Sequence, residues 1–536
     1  MNMMNLVQFV FLFTAIHAVG LNALANCPAS CKCDEQNLEV NCGEGQLDVL
    51  PIALNPSIKR LIIQRNKIKT IDSSVQFYSE LVYLDLSYNH LYNIPARTFQ
   101  YQKKLNDLHL NHNKIGSITN ETFIGLTSLV LLNLGDNFLD ELGANVFSTL
   151  PKLQELNLSK NRINRVDATT FNGLLSLRTL YLNDNSLSIV PSESFVPLVS
   201  LAELYLGINV FTTIENGAFE RLNGLTSLDL KGAGLTNISI NTFRGLEFNL
   251  RKLDISDNRL TEVPTTALSH LNRLEELMLG QNNFETIPSR AFAGFTNLRH
   301  LDISGSLKLQ KIENNAFAET TNLETLSIAS NKALTDIEAG AFSGLLHLKT
   351  IKLHDNALTV IPENLLKWDE LNSFDISENP ILCDCNILWM QQILNAQNSS
   401  QISIDNVLCS APENVRDQQL RTLSPSVIGC SNDDTKKQAM LGILMVTSVA
   451  IIIILLLLLF RCRRRLRELF KGRWSDSTIG TKEREYQKTF SDEDYTHTTR
   501  HLSHAHAPCT LSLHQPKFSQ QYHQPSGIRP IPVTEL

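Results

Sequence analysis

No residue constellation in this sequence has catalytic spacing. There is no Gly-x-Ser-x-Gly elbow, no His-Glu-x-x-His pair, no glycine-rich phosphate loop and no kinase set. These absences argue against an enzyme, and no cofactor is expected. Excess charge of one sign is also missing: 47 Lys and Arg face 54 Asp and Glu, a net of -7. Seven of those basic residues fall between Arg461 and Arg473 with one acid, so no folded domain shows the basic face that nucleic acid needs. Cysteine is sparse, at 10 in 536 residues. Eight of the ten form two clusters, the usage expected of an oxidising compartment.

What the chain does have is a period. From Ile58 to Ile381 the pattern Leu-x-x-Leu-x-Leu-x-x-Asn-x-Leu recurs every 23 to 25 residues, as in Leu105, Leu108, Leu110, Asn113, Ile115, Ile118 and Phe123. Fourteen copies start at Ile58, Leu81, Leu105, Leu129, Leu153, Leu177, Leu201, Leu225, Leu250, Leu274, Leu298, Leu323, Leu348 and Leu371. Such a repeat specifies an α/β right-handed leucine-rich repeat solenoid with a parallel sheet on its concave side. The Leu-x-Leu alternation buries one face of each strand and leaves the x residues outside. The Asn supplies donors and acceptors to a chain that turns inside the core. Phe99, Phe123, Phe147, Phe171, Phe195, Phe219, Phe243 and Phe292 should stack as a structural spine.

Three irregularities interrupt the pattern. Ala233 and Ser306 replace the Asn, Leu268 replaces a Phe, and the steps after Leu225, Leu298 and Leu323 each carry one extra residue. Kinks or bulges are expected there, more simply as tolerated loop insertions than as functional features.

A solenoid exposes its core at both ends and needs caps. Cys27, Cys31, Cys33 and Cys42 precede the first repeat, and Cys383, Cys385, Cys409 and Cys430 follow the last. Spacing alone allows three pairings in each cluster, and zinc is a weak rival without further ligands at finger spacing. No metal is expected. The clusters resemble the flanking modules of extracellular leucine-rich repeat proteins. That resemblance implies bridges from Cys27 to Cys33, Cys31 to Cys42, Cys383 to Cys409 and Cys385 to Cys430.

Two apolar runs set the topology. Residues 6–19 lead to Ala23-Leu24-Ala25, a small-x-small cleavage site, although the preceding segment lacks Lys and Arg. Residues 439–460 contain no charge and span about 33 Å as a helix, enough for a bilayer. Arginines follow at once, which places the carboxyl end in the cytoplasm. The expected layout is therefore a signal peptide at 1–25, a cysteine-rich cap at 26–57 and repeats at 58–381. A second cap at 382–431, a linker at 432–438, a transmembrane helix at 439–460 and a disordered tail at 461–536 complete it. This is a single-pass type I plasma-membrane protein with its amino end outside. Cys462 abuts the membrane and is either a palmitoylation site or a free thiol.

Function is expected on the outward positions. Fourteen strands about 4.8 Å apart give a surface on the order of 65 Å long, suited to a protein rather than a small molecule. Tyr181 and Tyr205 are neighbours in its central column, with Asp229 and Asp254 beside them to meet a basic partner. Tyr83, Tyr88, His109 and His112 form a second aromatic group nearer the amino end. Tyrosine also simply suits strands, an equally good account of either group. The sequons are Asn120, Asn157, Asn237 and Asn398, and a glycan on Asn157 would obstruct the sheet centre.

The tail is rich in Ser, Thr, His, Gln and Pro and reads as solvated low complexity. Its ending Thr534-Glu535-Leu536 is the form that class I PDZ scaffolds take as an added strand. Caps, fourteen repeats, one span and a short tail resemble the transmembrane leucine-rich repeat adhesion receptors, and among them the insect capricious and tartan group. The resemblance implies cell recognition, including neuronal target selection and cell sorting, through a cell-surface or extracellular protein bound homophilically or heterophilically. The alternatives are an innate-immune ligand receptor, for whose TIR domain the tail has no room, and an auxiliary subunit of an ion channel, which would usually carry fewer repeats.

Overall fold

The computed structural model describes residues 27–71, 73–396, 407–430 and 433–471. The expected signal peptide, Asn398, the Cys462 side chain, Thr534 and Leu536 lie outside the described residues or side chains. The chain divides into two units, Met1–Lys436 and Lys437–Leu536.

In the first unit, sixteen strands form one sheet. Fourteen come from the repeats and are three residues each, such as Glu155–Asn157, Thr179–Tyr181 and Glu203–Tyr205. The other two, Lys32–Asp34 and Glu39–Asn41, belong to the amino-terminal cap. Glu39–Asn41 pairs parallel with Arg60–Ile62, so the cap continues the sheet and covers the end of its core. Each short strand survives because its middle residue and the leucine after it are buried: Leu156, Leu158, Leu180, Leu182, Leu204 and Leu206 are all 0% exposed. Burial of each such side chain contributes about 1.5–3 kcal/mol.

The asparagine ladder binds successive coils. Asn185 Nδ2 donates to the carbonyls of Leu158 and Leu182, both at 3.0 Å, and its Oδ1 accepts from the Ile163 N–H at 3.0 Å. One side chain thus satisfies backbone groups of two repeats that would otherwise be buried without partners. The residue before each ladder position turns with positive φ, as in Arg65, Tyr88, His112, Asp136, Lys160, Asp184 and Ile208. Behind the sheet the phenylalanines stack, with Phe123, Phe147, Phe171 and Phe195 at centroid spacings of 5.9, 6.1 and 6.4 Å.

The expected kinks do not appear in the concave sheet. Strands on either side of every extra residue keep in-register pairing: Asp229 with Asp254, Asp302 with Ser327, and Ser327 with Lys352. The added residues sit in loops, where they do not disturb the side-chain alternation. Apart from the concave sheet, Thr286–Ile287, Lys311–Ile312 and Asp336–Ile337 form a separate three-stranded parallel sheet. The ladder itself does shift. At Ser306 it is the Ser306 N–H that Asn331 Oδ1 accepts, and Ser306 Oγ and Asn331 Nδ2 are buried without partners. Leu268 is fully buried in a short helix, Thr265–Leu268, in the gap between the stacked pair Phe219–Phe243 and the stack that starts at Phe292.

Cystines join Cys27 to Cys33, Cys31 to Cys42, Cys383 to Cys409 and Cys385 to Cys430. Where the last repeats meet the carboxy-terminal cap, Trp368 packs on Phe374 and on Trp389 of the cap, closing the last coil with aromatic surface. Helix Asp433–Lys471, which enters the second unit at Lys437, contains the one candidate membrane span among the described residues, Lys437–Arg461, of 25 residues.

Candidate functional site

The concave surface is a set of columns, because parallel strands in register place equivalent residues side by side. Asn157, Tyr181, Tyr205, Asp229 and Asp254 stand in one such column. The Tyr181 and Tyr205 rings stack with centroids 4.6 Å apart and planes 13° from parallel. Glu203 Oε2 accepts from the Tyr205 hydroxyl at 3.0 Å. Burial raises the Tyr181 phenol above its ordinary range, with the charges of Glu155 and Glu203 adding to it. Tyr205 is raised much further, first by burial and then by its bond to Glu203. Both phenols therefore stay neutral donors and aromatic surfaces at physiological pH.

The two aspartates have a second role that the sequence reading did not assign. Asp229 Oδ1 accepts from the Lys231 N–H at 2.8 Å, and Asp254 Oδ1 from the Ser256 N–H at 2.9 Å. The same turn recurs down the column at Asn41, Asp85, Asn133, Asn157, Asp302 and Asp375. An Asp or Asn here fixes the backbone as the chain leaves the strand. One oxygen of Asp229 and one of Asp254 thus face inward to a structural task. Burial raises the Asp229 carboxyl above the usual range, and the neighbouring Asp254 charge adds to the effect. Asn157 is half-buried, and its Oδ1 accepts from both the N–H and the hydroxyl of Ser159, at 2.9 and 2.7 Å. The exposed sequons Asn120 and Asn237 lie off the sheet, in turn and loop segments.

The amino-terminal group is arranged differently. Tyr83 and His109 approach at 5.2 Å, and Tyr88 and His112 stack at 4.0 Å. Arg60 lies over the Tyr83 ring at 4.0 Å and also pairs with Glu39 at 3.0 Å. Arg65 lies over Tyr88 at 5.3 Å and pairs with Glu44 at 3.1 Å, while His112 Nδ1 lies against the Asp136 carboxylate. Burial raises the Tyr83 phenol, with Asp85 contributing. Two parallel chains of contact, Glu-Arg-Tyr-His in both cases, therefore run along the first repeats, and each carboxylate meets a cation supplied by the protein.

Around the central tyrosines no guanidinium is laid on a ring. Glu155, Glu203 and Asp229 have no ion-pair partner among the described residues; the charges of Lys231 and Lys252 act on Asp229, and Lys252 is paired with Glu276 at 3.2 Å. The sequence reading missed Glu155 and Glu203, although both occupy outward strand positions. It also missed Ile208 and Val210, which are 51% and 57% exposed. Ile208 has φ +52°, unfavourable for a β-branched residue. Its signal in the sequence was an isoleucine at a turn position held elsewhere by polar, aromatic or glycine residues. The next repeat reads Lys231-Gly232-Ala233-Gly234, and both glycines have positive φ.

The model for the leucine rich repeat family matches residues 56–115, 103–163, 151–211, 248–307 and 308–381, more than half of the chain. The stretch it leaves out, 212–247, contains Ala233. Toll-like receptor 3 of Bos taurus is 41% identical over 87 residues, 16% of this chain and 10% of that protein. Human Reticulon-4 receptor-like 2 is 34% identical over 105 residues, 19% of this chain and 25% of that protein. The chain thus spans a quarter or less of the length of these curated relatives. Among solved structures, the TLR13-ssRNA13 complex aligns with TM-score 0.54 and 25% identity, covering 69% of this chain and 60% of that one. The Toll–Spatzle complex of Drosophila aligns with TM-score 0.52 and 20% identity over 71% and 63%, a likeness of fold. The period, the ladder and the matched repeats establish that the chain belongs to the leucine-rich repeat family.

Proposed function

We propose that this protein is a single-pass type I cell-surface receptor for adhesion or cell recognition, like the capricious and tartan group, and that it has no enzymatic activity. The reading is carried by the concave sheet, whose unbroken register presents an extended surface with a stacked tyrosine pair near its middle. Surfaces of this size and curvature fit a protein, and half-buried tyrosines make good interface anchors at low entropic cost. The partner is a cell-surface or extracellular protein, of the same or another kind. The candidate span Lys437–Arg461 supports membrane attachment, and the basic run from Arg461 supports a cytoplasmic tail. That tail would engage a PDZ scaffold through Thr534 and Leu536, with Cys462 as a candidate lipid anchor.

An innate-immune receptor is the second reading, supported by the partial similarity to Toll-like receptor 3. Cell aggregation by the chain lacking residues 474–536 separates the two. Aggregation with itself or with cells bearing a candidate partner supports adhesion through the ectodomain. Failure to aggregate in every pairing removes the adhesion reading.

A further inference from the structure

We infer that the surface around Tyr181 and Tyr205 receives an arginine of a basic partner protein, whose neighbouring apolar residue covers Ile208 and Val210. The inference rests on the receptor reading only in taking the ligand to be a protein. Three independent features converge on these repeats. The first is electrostatic: Glu155 and Glu203 flank Tyr181, their charges act on its phenol, and neither carboxylate has a cation beside it. The second is apolar. Ile208 and Val210 are exposed at the turn that follows Tyr205, and after Lys231, whose carbonyl accepts from the Ile208 N–H at 2.6 Å, the next repeat sets Gly232, Ala233 and Gly234 beside them. The third is conformational, since Ile208 holds a left-handed backbone that a β-branched residue disfavours.

The protein itself contains the arrangement that the site lacks. At the amino end, Arg60 sits 4.0 Å above the Tyr83 ring and 3.0 Å from the Glu39 carboxylate. A planar guanidinium satisfies both at once, through its face on the ring and its edge to the carboxylate. The centre has a tyrosine face and two carboxylates, and among the described residues no guanidinium lies over Tyr181 or pairs with Glu155 or Glu203. A partner's arginine laid on the outer face of Tyr181, on the side of Asn157 and Glu155, completes the same set. Asp229 on the far side adds negative potential, and the Ile208–Val210 step supplies the apolar contact that fixes register.

The test uses the full-length chain in nonionic detergent, titrated calorimetrically with acetyl-tetra-arginine amide. The wild type binds, and Glu155→Gln/Glu203→Gln weakens binding by about tenfold or more. Tyr181→Ala has a similar effect, whereas Tyr181→Phe keeps the ring and most of the affinity. Acetyl-tetra-lysine amide binds more weakly, because an ammonium lacks the planar fork. Glu363→Gln/Glu378→Gln removes two exposed carboxylates from the last repeats of the same unit and changes affinity by less than about twofold. Equal losses from both double variants would mean diffuse attraction and would overturn the proposal, as would absence of binding by the wild type. Thermal melts of each variant exclude misfolding. Aggregation that persists in a protein unable to bind the peptide removes this site and leaves adhesion standing. Peptide binding as expected without any cell aggregation does the reverse.

Discussion

The two aromatic regions of the concave face use the same residue types to opposite ends. In the first repeats, Arg60 and Arg65 cover Tyr83 and Tyr88 and neutralise Glu39 and Glu44, so the group is complete within the chain. In the middle repeats, Tyr181 and Tyr205 cover only each other, and Glu155 and Glu203 have no ion-pair partner among the described residues. Tyrosine and acid content alone does not distinguish a binding surface from a self-satisfied one. What distinguishes them is whether the arginine comes from the chain or must come from outside.

Several perturbations would sharpen or break this contrast. The largest acts on what the regions share. Leu84 and Leu180 lie fully buried beneath the two groups, so Leu84→Ala and Leu180→Ala should each cost ~2–5 kcal/mol in denaturant unfolding. A loss in one region alone would show that the scaffold is not equivalent beneath them. A smaller effect separates the regions. A double-mutant cycle between Arg60→Ala and Tyr83→Leu should show coupling of about 0.5–1 kcal/mol. The matching cycle between Glu155→Gln and Tyr181→Leu should show almost none in the free protein, because nothing bridges that pair. Comparable coupling in both cycles would remove the distinction.

The smallest effect concerns Asp229. Its folded-state pKa is raised by burial and by Asp254, so ionisation opposes folding. That cost is present at pH values above the folded pKa and is relieved as pH falls below the unfolded value, where the carboxyl is protonated in both states. Asp229→Asn keeps an acceptor for the Lys231 N–H and should raise the melting temperature at pH 7 by about 1–2 °C. The gain should vanish below pH ~3. A gain that persists at low pH would assign the effect to packing instead of charge.

Much of the architecture was legible from the repeat. The fourteen strand positions, the buried leucines and the ladder from Asn66 to Asn379 follow from one period, because each coil must bury the same face as the last. The register that sets Tyr181 beside Tyr205 and Asp229 follows too. Less could be read at the irregular steps. An extra residue looked like a kink, yet loops absorbed it, since shifting a strand by one residue would turn its leucines outward. Asp229 and Asp254 were read only as charges to meet a basic partner, but one oxygen of each holds a turn closed.

The sequence by itself determined the fold and which residues face outward, because both depend on short periodic patterns and on burial of leucine. Only the tertiary structure decided which outward residues are already satisfied. Whether Arg60 meets Tyr83 or Gly232 leaves Ile208 uncovered depends on contacts between coils more than twenty residues apart, and whether Glu203 meets Tyr205 depends on two rotamers within one strand. Pairing across coils depends on rotamer and distance, which the period leaves free.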